Sequence, residues 1–208
     1  VNLAEIANSK VRNIIKSAVE LLAGIPSVVY GLLGILIINP LMYQLELMIF
    51  AGSKTHQFTG GANLISSILV LAIMILPTLI NITETSLKSV PDDYRKSSLA
   101  LGASQMQTIF KVVLPAAKNG IMSAVVLGVG RAIGEAMAIL LVAGNSVNFP
   151  LPFNSVRFLT TGIVSEMGYA SGTHREVLFT IGLVLFIFIL AINLILTFIL
   201  KRGGEDGK

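Results

Sequence analysis

Leu87 to Lys118 reads LKSVPDDYRKSSLALGASQMQTIFKVVLPAAK, and long apolar runs flank it on both sides. Its charges are mostly basic: Lys88, Arg95, Lys96, Lys111 and Lys118 against Asp92 and Asp93. A basic loop between membrane spans belongs on the cytoplasmic side. Pro91-Asp92-Asp93 has the form of a helix start, with carboxylates near the positive end of the helix dipole. Tyr94, Ser98, Leu101 and Gln105 follow at helical spacing. Gly102 stands where a helix would bend, end or be approached closely. A second helical segment runs from Met106 to Leu114, and Pro115 stops it or kinks the helix that follows. Two short helices joined near a glycine make a docking element. The loop holds no His, no Cys and no nucleophile–base pair, so it is not a catalytic site.

Working outward, the apolar runs define the class. The 208 residues are 54% hydrophobic and 12% charged, with a mean hydropathy of +0.83, which soluble domains do not usually reach. The net charge of +4 sits in short loops and tails beside apolar runs, a matter of membrane topology and not of nucleic acid. The absence of cysteine excludes disulfides and thiolate metal sites, and no metal site is expected. The chain opens without Met or a signal peptide, as an internal cut would, so earlier spans are expected upstream.

The expected fold is all-α: a polytopic helical membrane bundle forming a single domain over 1–208, with about four spans. Residues 1–23 form an amphipathic pattern too polar to span, an interfacial helix. Spans fall near 25–50, 62–81, 119–143 and 177–200, each long enough to cross about 30 Å at about 1.5 Å per residue. Residues 87–118 are the cytoplasmic loop. Residues 144–176 form an extracytoplasmic connection, with a short surface or re-entrant helix within 156–167. Glu46 lies near the far end of the first span, and His56 reads as a lone, solvated loop histidine. With the basic loop inside, Lys10, Arg12, Lys16, Lys201 and Arg202 also fall inside. Lys54, Arg157 and Arg175 are left outside.

The third run, NGIMSAVVLGVGRAIGEAMAILLVAG, carries the unusual chemistry. Arg131 and Glu135 are four apart, on one face of a helix and near mid-span. Charges there face a polar pathway or a partner. One reading makes them a packing ion pair. The other puts Arg131 against an anionic solute, with Glu135 holding or releasing it, since a guanidinium fork suits oxyanions. Rows of small residues, Gly120, Ala124, Gly128, Ala132 and Ala136 in one and Gly130, Gly134 and Ala138 in another, allow close helix packing.

These residues resemble a known family. The loop is similar to the cytoplasmic signature of ATP-binding-cassette importer permeases: Glu-Ala-Ala, three residues, Gly, nine residues, then Ile-x-Leu-Pro. Gly102 and Val112-Val113-Leu114-Pro115 fit it, with Lys96-Ser97-Ser98 in place of Glu-Ala-Ala. LAGIPSVVYGLLG (22–34), SLALGA (98–103) and GRAIGEAMAI (130–139) together resemble phosphate-specific importers, nearest the C-type permease subunit. The resemblance implies the type I importer fold, with these residues as the last four of six spans. It implies that Ser98, Leu99, Ala100, Leu101, Gly102, Ala103, Leu114 and Pro115 meet the ATPase. It also implies a sister permease, two ATP-binding subunits holding ATP-Mg, an extracytoplasmic phosphate-binding protein and surrounding lipid. This chain would bind no cofactor and no nucleic acid, and would lie in a bacterial or archaeal inner membrane with its C-terminus cytoplasmic. The alternatives are a permease for molybdate or sulfate, a passive anion channel, and an intramembrane enzyme. The last is disfavoured by the lack of Cys and of any His in a span.

Overall fold

The computed structural model describes residues 8–53 and 55–205. The start of the expected interfacial helix (1–7), Lys54 and the tail 206–208 lie outside the described residues. Among the described residues the chain is helical, with one isolated parallel bridge, Gly144–Val156, and no strand. The helices are α1 Ser9–Ala23, α2 Ser27–Phe50, α3 Leu64–Lys88, α4 Asp92–Ala100 and α5 Gln105–Ala116. They continue as α6 Lys118–Gly134, α7 Met137–Val142, α8 Leu159–Glu166 and α9 Gly172–Glu205. By length and apolarity α2, α3 and α9 can each cross a membrane, and α5 with α6 makes a fourth crossing if that bent pair is one span.

Two helices carry a widened turn just before a proline. In α2 the π-turn Gly34–Ile38 precedes Pro40, and Asn39 N–H donates to Gly34 O five residues back. In α5 the π-turn Ile109–Val113 precedes Pro115. Proline has no N–H and its ring crowds the carbonyl four residues earlier; one extra residue in the turn relieves that clash. The helix runs only one residue past Pro115, to Ala116. The chain then bends by 63° into α6, the stop or kink expected at Pro115.

The chain forms two compact units. The first is Val1–Gly24, Ile75–Gly130 and Ile192–Lys208. Its core gathers Leu87, Val90, Val113 and Ala117, with Leu114 and Ile121 packed on them. One row of α6 lies close on α3: a Cβ on Gly120 would meet Ser86 Oγ at 2.3 Å, and one on Gly128 would meet Ile75 and Leu79 at 3.0 and 3.1 Å. Ala124, midway in the row, is fully buried. Arg12 of α1 reaches Glu84 of α3 at 4.0 Å, and Lys88 pairs with the same carboxylate.

The second unit is Ile25–Met74 and Arg131–Ala191. Ile139, Ala143 and Val156 form its core, with Leu64, Leu71 and Phe158 against them. Gly31 and Gly34 let α7 settle on α2: a Cβ on Gly31 would lie 2.9 Å from Ala138 Cα, and one on Gly34 would lie 2.5 Å from Val142 Cγ1. The short helix placed within 156–167 is α8. The most apolar window of α9 is only 6% buried inside the chain, so that helix offers its sides to lipid or to other subunits.

Candidate functional site

The segment between α3 and α6 is built as a small platform. Arg95 of α4 donates from Nη1 to Val90 O at 2.7 Å and from Nη2 to Leu87 O at 3.0 Å, satisfying carbonyls at the end of α3. Asp92 and Asp93 occupy the first turn of α4. Gly102 ends that helix at φ +85, with Gly102 N–H donating to Leu99 O (3.0 Å) and Ala103 N–H to Ser98 O (3.2 Å). This is the Schellman arrangement, and its left-handed residue favours glycine. Ser104 and Gln107 form a reciprocal capping box that starts α5. The spacing Ser104-x-x-Gln107 was a readable signal for that start. Ser98 Oγ and Thr108 Oγ1, 2.9 Å apart, tie α4 to α5.

With one side fixed to the unit's core, the other side is open. Leu101 is 89% exposed, and Tyr94, Leu99, Met106 and Phe110 are about half exposed. Of the residues expected to meet a partner, Ala100, Gly102 and Pro115 are exposed, and Ser98, Ala103 and Leu114 are half-buried. Exposed apolar side chains of this kind, on a platform that also carries the exposed Asp93, Lys96 and Lys111, suit docking onto another protein.

The third apolar run is not one helix, which corrects its reading as a continuous span with Arg131 and Glu135 on a shared helical face. α6 ends at Gly134, and α7 begins at Met137. Glu135 turns back to accept Ala138 N–H at 3.0 Å, and its own carbonyl accepts Thr160 Oγ1–H at 2.9 Å. Two nearby glycines weaken the helix, and a side chain able to cap the next turn competes with the backbone ladder. Arg131 is exposed and Glu135 half-buried. Glu135 lines a mostly apolar cavity of about 370 Å³ with Ile139, Phe158, Thr160 and Phe188, and Arg131 is not among its walls. Of the glycines read as packing positions, Gly128 is buried in the close contact above, Gly130 lies beside Asn193, and Gly134 has no neighbour within 4 Å of a built Cβ.

His56 is neither alone nor fully solvated, which corrects its reading as a lone loop residue. Its Nε2 is 2.8 Å from Oε1 of Glu46, which is fully buried, and its ring stacks on Phe50 at 3.8 Å. The two residues are ten apart across a helix end, a spacing with no local pattern to announce it. Elsewhere, Glu166 accepts from His174 at 2.8 Å and pairs with Arg157. His174 first, then Arg157, holds the Glu166 carboxyl below its ordinary range. Among the described residues no group of three or more His, Cys, Asp or Glu could hold a metal ion.

Fold and site together define a multi-pass helical membrane protein with an exposed two-helix platform between two of its spans. The chain belongs to the family described as the binding-protein-dependent transport system inner membrane component, whose model matches residues 3–202. That is a family of membrane transport subunits and not of enzymes. It is 40% identical to the probable ABC transporter permease protein YqgH of Bacillus subtilis, over 92% of this chain and 61% of that one. It is 33% identical to the phosphate transport system permease protein PstC of Pasteurella multocida, over 99% of this chain and 68% of that one. The chain thus spans roughly two thirds of the length of such relatives. A chain of the MetNI methionine ABC transporter shares the fold, with a TM-score of 0.60 at 22% identity, over 96% of this chain and 82% of that one.

Proposed function

We propose that this chain is the membrane permease subunit of an ATP-driven phosphate importer. The exposed α4–α5 platform carries the reading. Its apolar face is aimed away from its own core, and its backbone is fixed by Arg95, the Gly102 turn and the Ser98–Thr108 bond. In this reading one of two ATP-binding subunits seats Ser98 to Ala103, Leu114 and Pro115 in its cleft, and the pair hydrolyses ATP-Mg. A sister permease completes the pathway, and an extracytoplasmic phosphate-binding protein delivers the solute. The platform and the C-terminus face the cytoplasm of a bacterial or archaeal cell. Phosphate as cargo is supported by the similarity to permeases named for phosphate transport. Arg131 and Glu135 belong to the pathway, with the helix break at Glu135 supplying backbone groups that a continuous span would lack. ATP-dependent uptake of radiolabelled phosphate by cells expressing the complete set of subunits, with and without this chain, tests the assignment. Uptake of molybdate or sulfate in place of phosphate would replace the cargo, and uptake without ATP would replace the mechanism by a channel.

A further inference from the structure

The connection that follows α7 runs back along that helix and grips it at both ends. At the far end, Val156 N–H donates to Ala143 O at 3.0 Å, and Ser155 Oγ–H donates to the same carbonyl at 3.1 Å. At the start of α7 the grip comes from Thr160, in the first turn of α8. Its Oγ1–H donates to Glu135 O at 2.9 Å across 25 positions of chain. Between the two grips, Ile139, Ala143 and Val156 form the core, with Phe158 against them.

Thr160 is buried, and Thr161 beside it is fully buried. A helical threonine ordinarily turns its hydroxyl onto a carbonyl of its own helix or bonds a nearby backbone group. Thr161 does so: its Oγ1–H donates to Phe158 O at 3.1 Å, and its Oγ1 accepts Phe158 N–H at 3.1 Å. Thr160 instead reaches out of α8 to the break between α6 and α7. Valine would fill nearly the same volume, so packing does not ask for a hydroxyl there. A buried hydroxyl needs a partner, and Glu135 O supplies it.

Glu135 is thereby held at two atoms. Its carbonyl accepts from Thr160, and its Oε1 accepts Ala138 N–H at 3.0 Å. In an unbroken helix that carbonyl would take the N–H of Ile139, four residues on. Thr160 occupies the carbonyl from outside, and the carboxylate serves the first turn of α7. Ala136, at φ −124 and ψ −46, absorbs the change of direction. One bond fixes the peptide plane and the other the side chain. The direction of the carboxylate beside the cavity of about 370 Å³ depends on both.

We propose that Thr160 is a positioning residue for transport: acting through the Glu135 carbonyl, it keeps the span broken and the Glu135 carboxylate aimed as the solute meets it. This rests on the reading of Glu135 as a pathway residue of a phosphate permease. The test uses the complete transporter in proteoliposomes, with phosphate-loaded binding protein as the titrant and rates taken at matched levels of assembled complex. Thr160→Val keeps the volume and removes the donor. It is expected to lower the maximal rate about tenfold, the scale of one lost hydrogen bond, and to leave the half-saturating concentration of binding protein unchanged. Thr160→Ser keeps the donor and is expected to restore the rate to within about twofold of wild type. Thr160→Cys, with a weaker donor, is expected to fall between them, and it carries the comparison if the valine variant does not assemble.

Amide hydrogen exchange of the purified complex reads the same hold without transport. Ala138 N–H, held in the wild type by Glu135, is expected to exchange faster in Thr160→Val and as in wild type in Thr160→Ser. Unchanged exchange in the valine variant would show that Thr160 does not hold Glu135 and would overturn the proposal. A normal maximal rate in that variant, or in the cysteine variant where valine does not assemble, would overturn it too. So would a serine variant as slow as the valine one, since shape and not the hydroxyl would then be the cause. A rise in half-saturation alone would also overturn it, by moving the effect from passage of the solute to capture of the binding protein. Failure of the permease reading shows separately, as a wild-type complex that carries no phosphate. Failure of the pathway role shows as wild-type uptake by Glu135→Gln.

Discussion

Gly102 separates two demands that a sequence cannot tell apart. Its φ of +85 asks for glycine on dihedral grounds, yet among the described residues, its two chain neighbours aside, no atom lies within 4 Å of a built Cβ. Alanine there should cost about 1–2 kcal/mol through the left-handed backbone alone. Tryptophan adds bulk that nothing in this chain resists. Both variants should insert at wild-type levels. Gly102→Ala should still capture the ATP-binding subunits in a pull-down, and Gly102→Trp should lose them. Full capture by the tryptophan variant would remove the partner from that surface. Glu166 makes a second residue-level case, on the sign of a pH effect. His174 and Arg157 lower its pKa from 4.5, so its contribution to stability is complete above about 4.5. That contribution fades as pH falls through the lower, folded value. Glu166→Gln should therefore lower the melting temperature slightly at neutral pH, and the difference should vanish in acid. A difference that grew in acid would reverse the argument.

At the level of elements, the long helices were legible and their interruptions were not. Apolar length alone places α2, α3 and α9, because crossing hydrocarbon demands it. The break after Gly134 hides inside an equally apolar run, since it depends on Glu135 finding Ala138 N–H and Thr160 reaching the Glu135 carbonyl from α8. Glu46 and His56 were each visible, but their pairing needs the fold of the intervening loop. The glycines divide in the same way. Gly31 and Gly134 look alike in sequence, yet Gly31 faces the α7 backbone, with Ala138 Cα and O at 2.9 and 3.0 Å, whereas Gly134 faces nothing. Backbone cannot rotate aside as a side-chain tip can. Gly31→Val should therefore destabilise by about 1–3 kcal/mol through overpacking. Gly134→Ala, at the last residue of α6 and uncrowded, should be neutral or stabilising by a fraction of about 1 kcal/mol. Thermal unfolding of the two purified variants checks the pair; equal losses would mean that α7 does not sit on α2 in this way.

For the molecule as a whole, the decisive quantity is transport, and the helix break sharpens how Arg131 and Glu135 can be tested. Glu135 has two capacities: a negative charge, and an acceptor oxygen that caps the start of α7 through Ala138 N–H at 3.0 Å. Glutamine keeps the acceptor and loses the charge, whereas alanine loses both. Glu135→Gln should accordingly insert and assemble normally, and Glu135→Ala should assemble poorly as the broken span loosens by about 0.5–2 kcal/mol, the range for a lost cap. Arg131→Lys keeps the charge but not the planar fork, so it should assemble and carry little phosphate. The double variant Arg131→Gln with Glu135→Gln then separates a lock from a pathway. It removes both charges and leaves the cap in place. If the charges serve only to fix packing, assembly and uptake should recover together, since replacing a charged pair by neutral groups is often tolerated. If they meet the solute, assembly should be normal and uptake should stay low. Uptake of radiolabelled phosphate at matched membrane levels decides it, and near-wild-type rates in the double variant would take both residues out of the pathway.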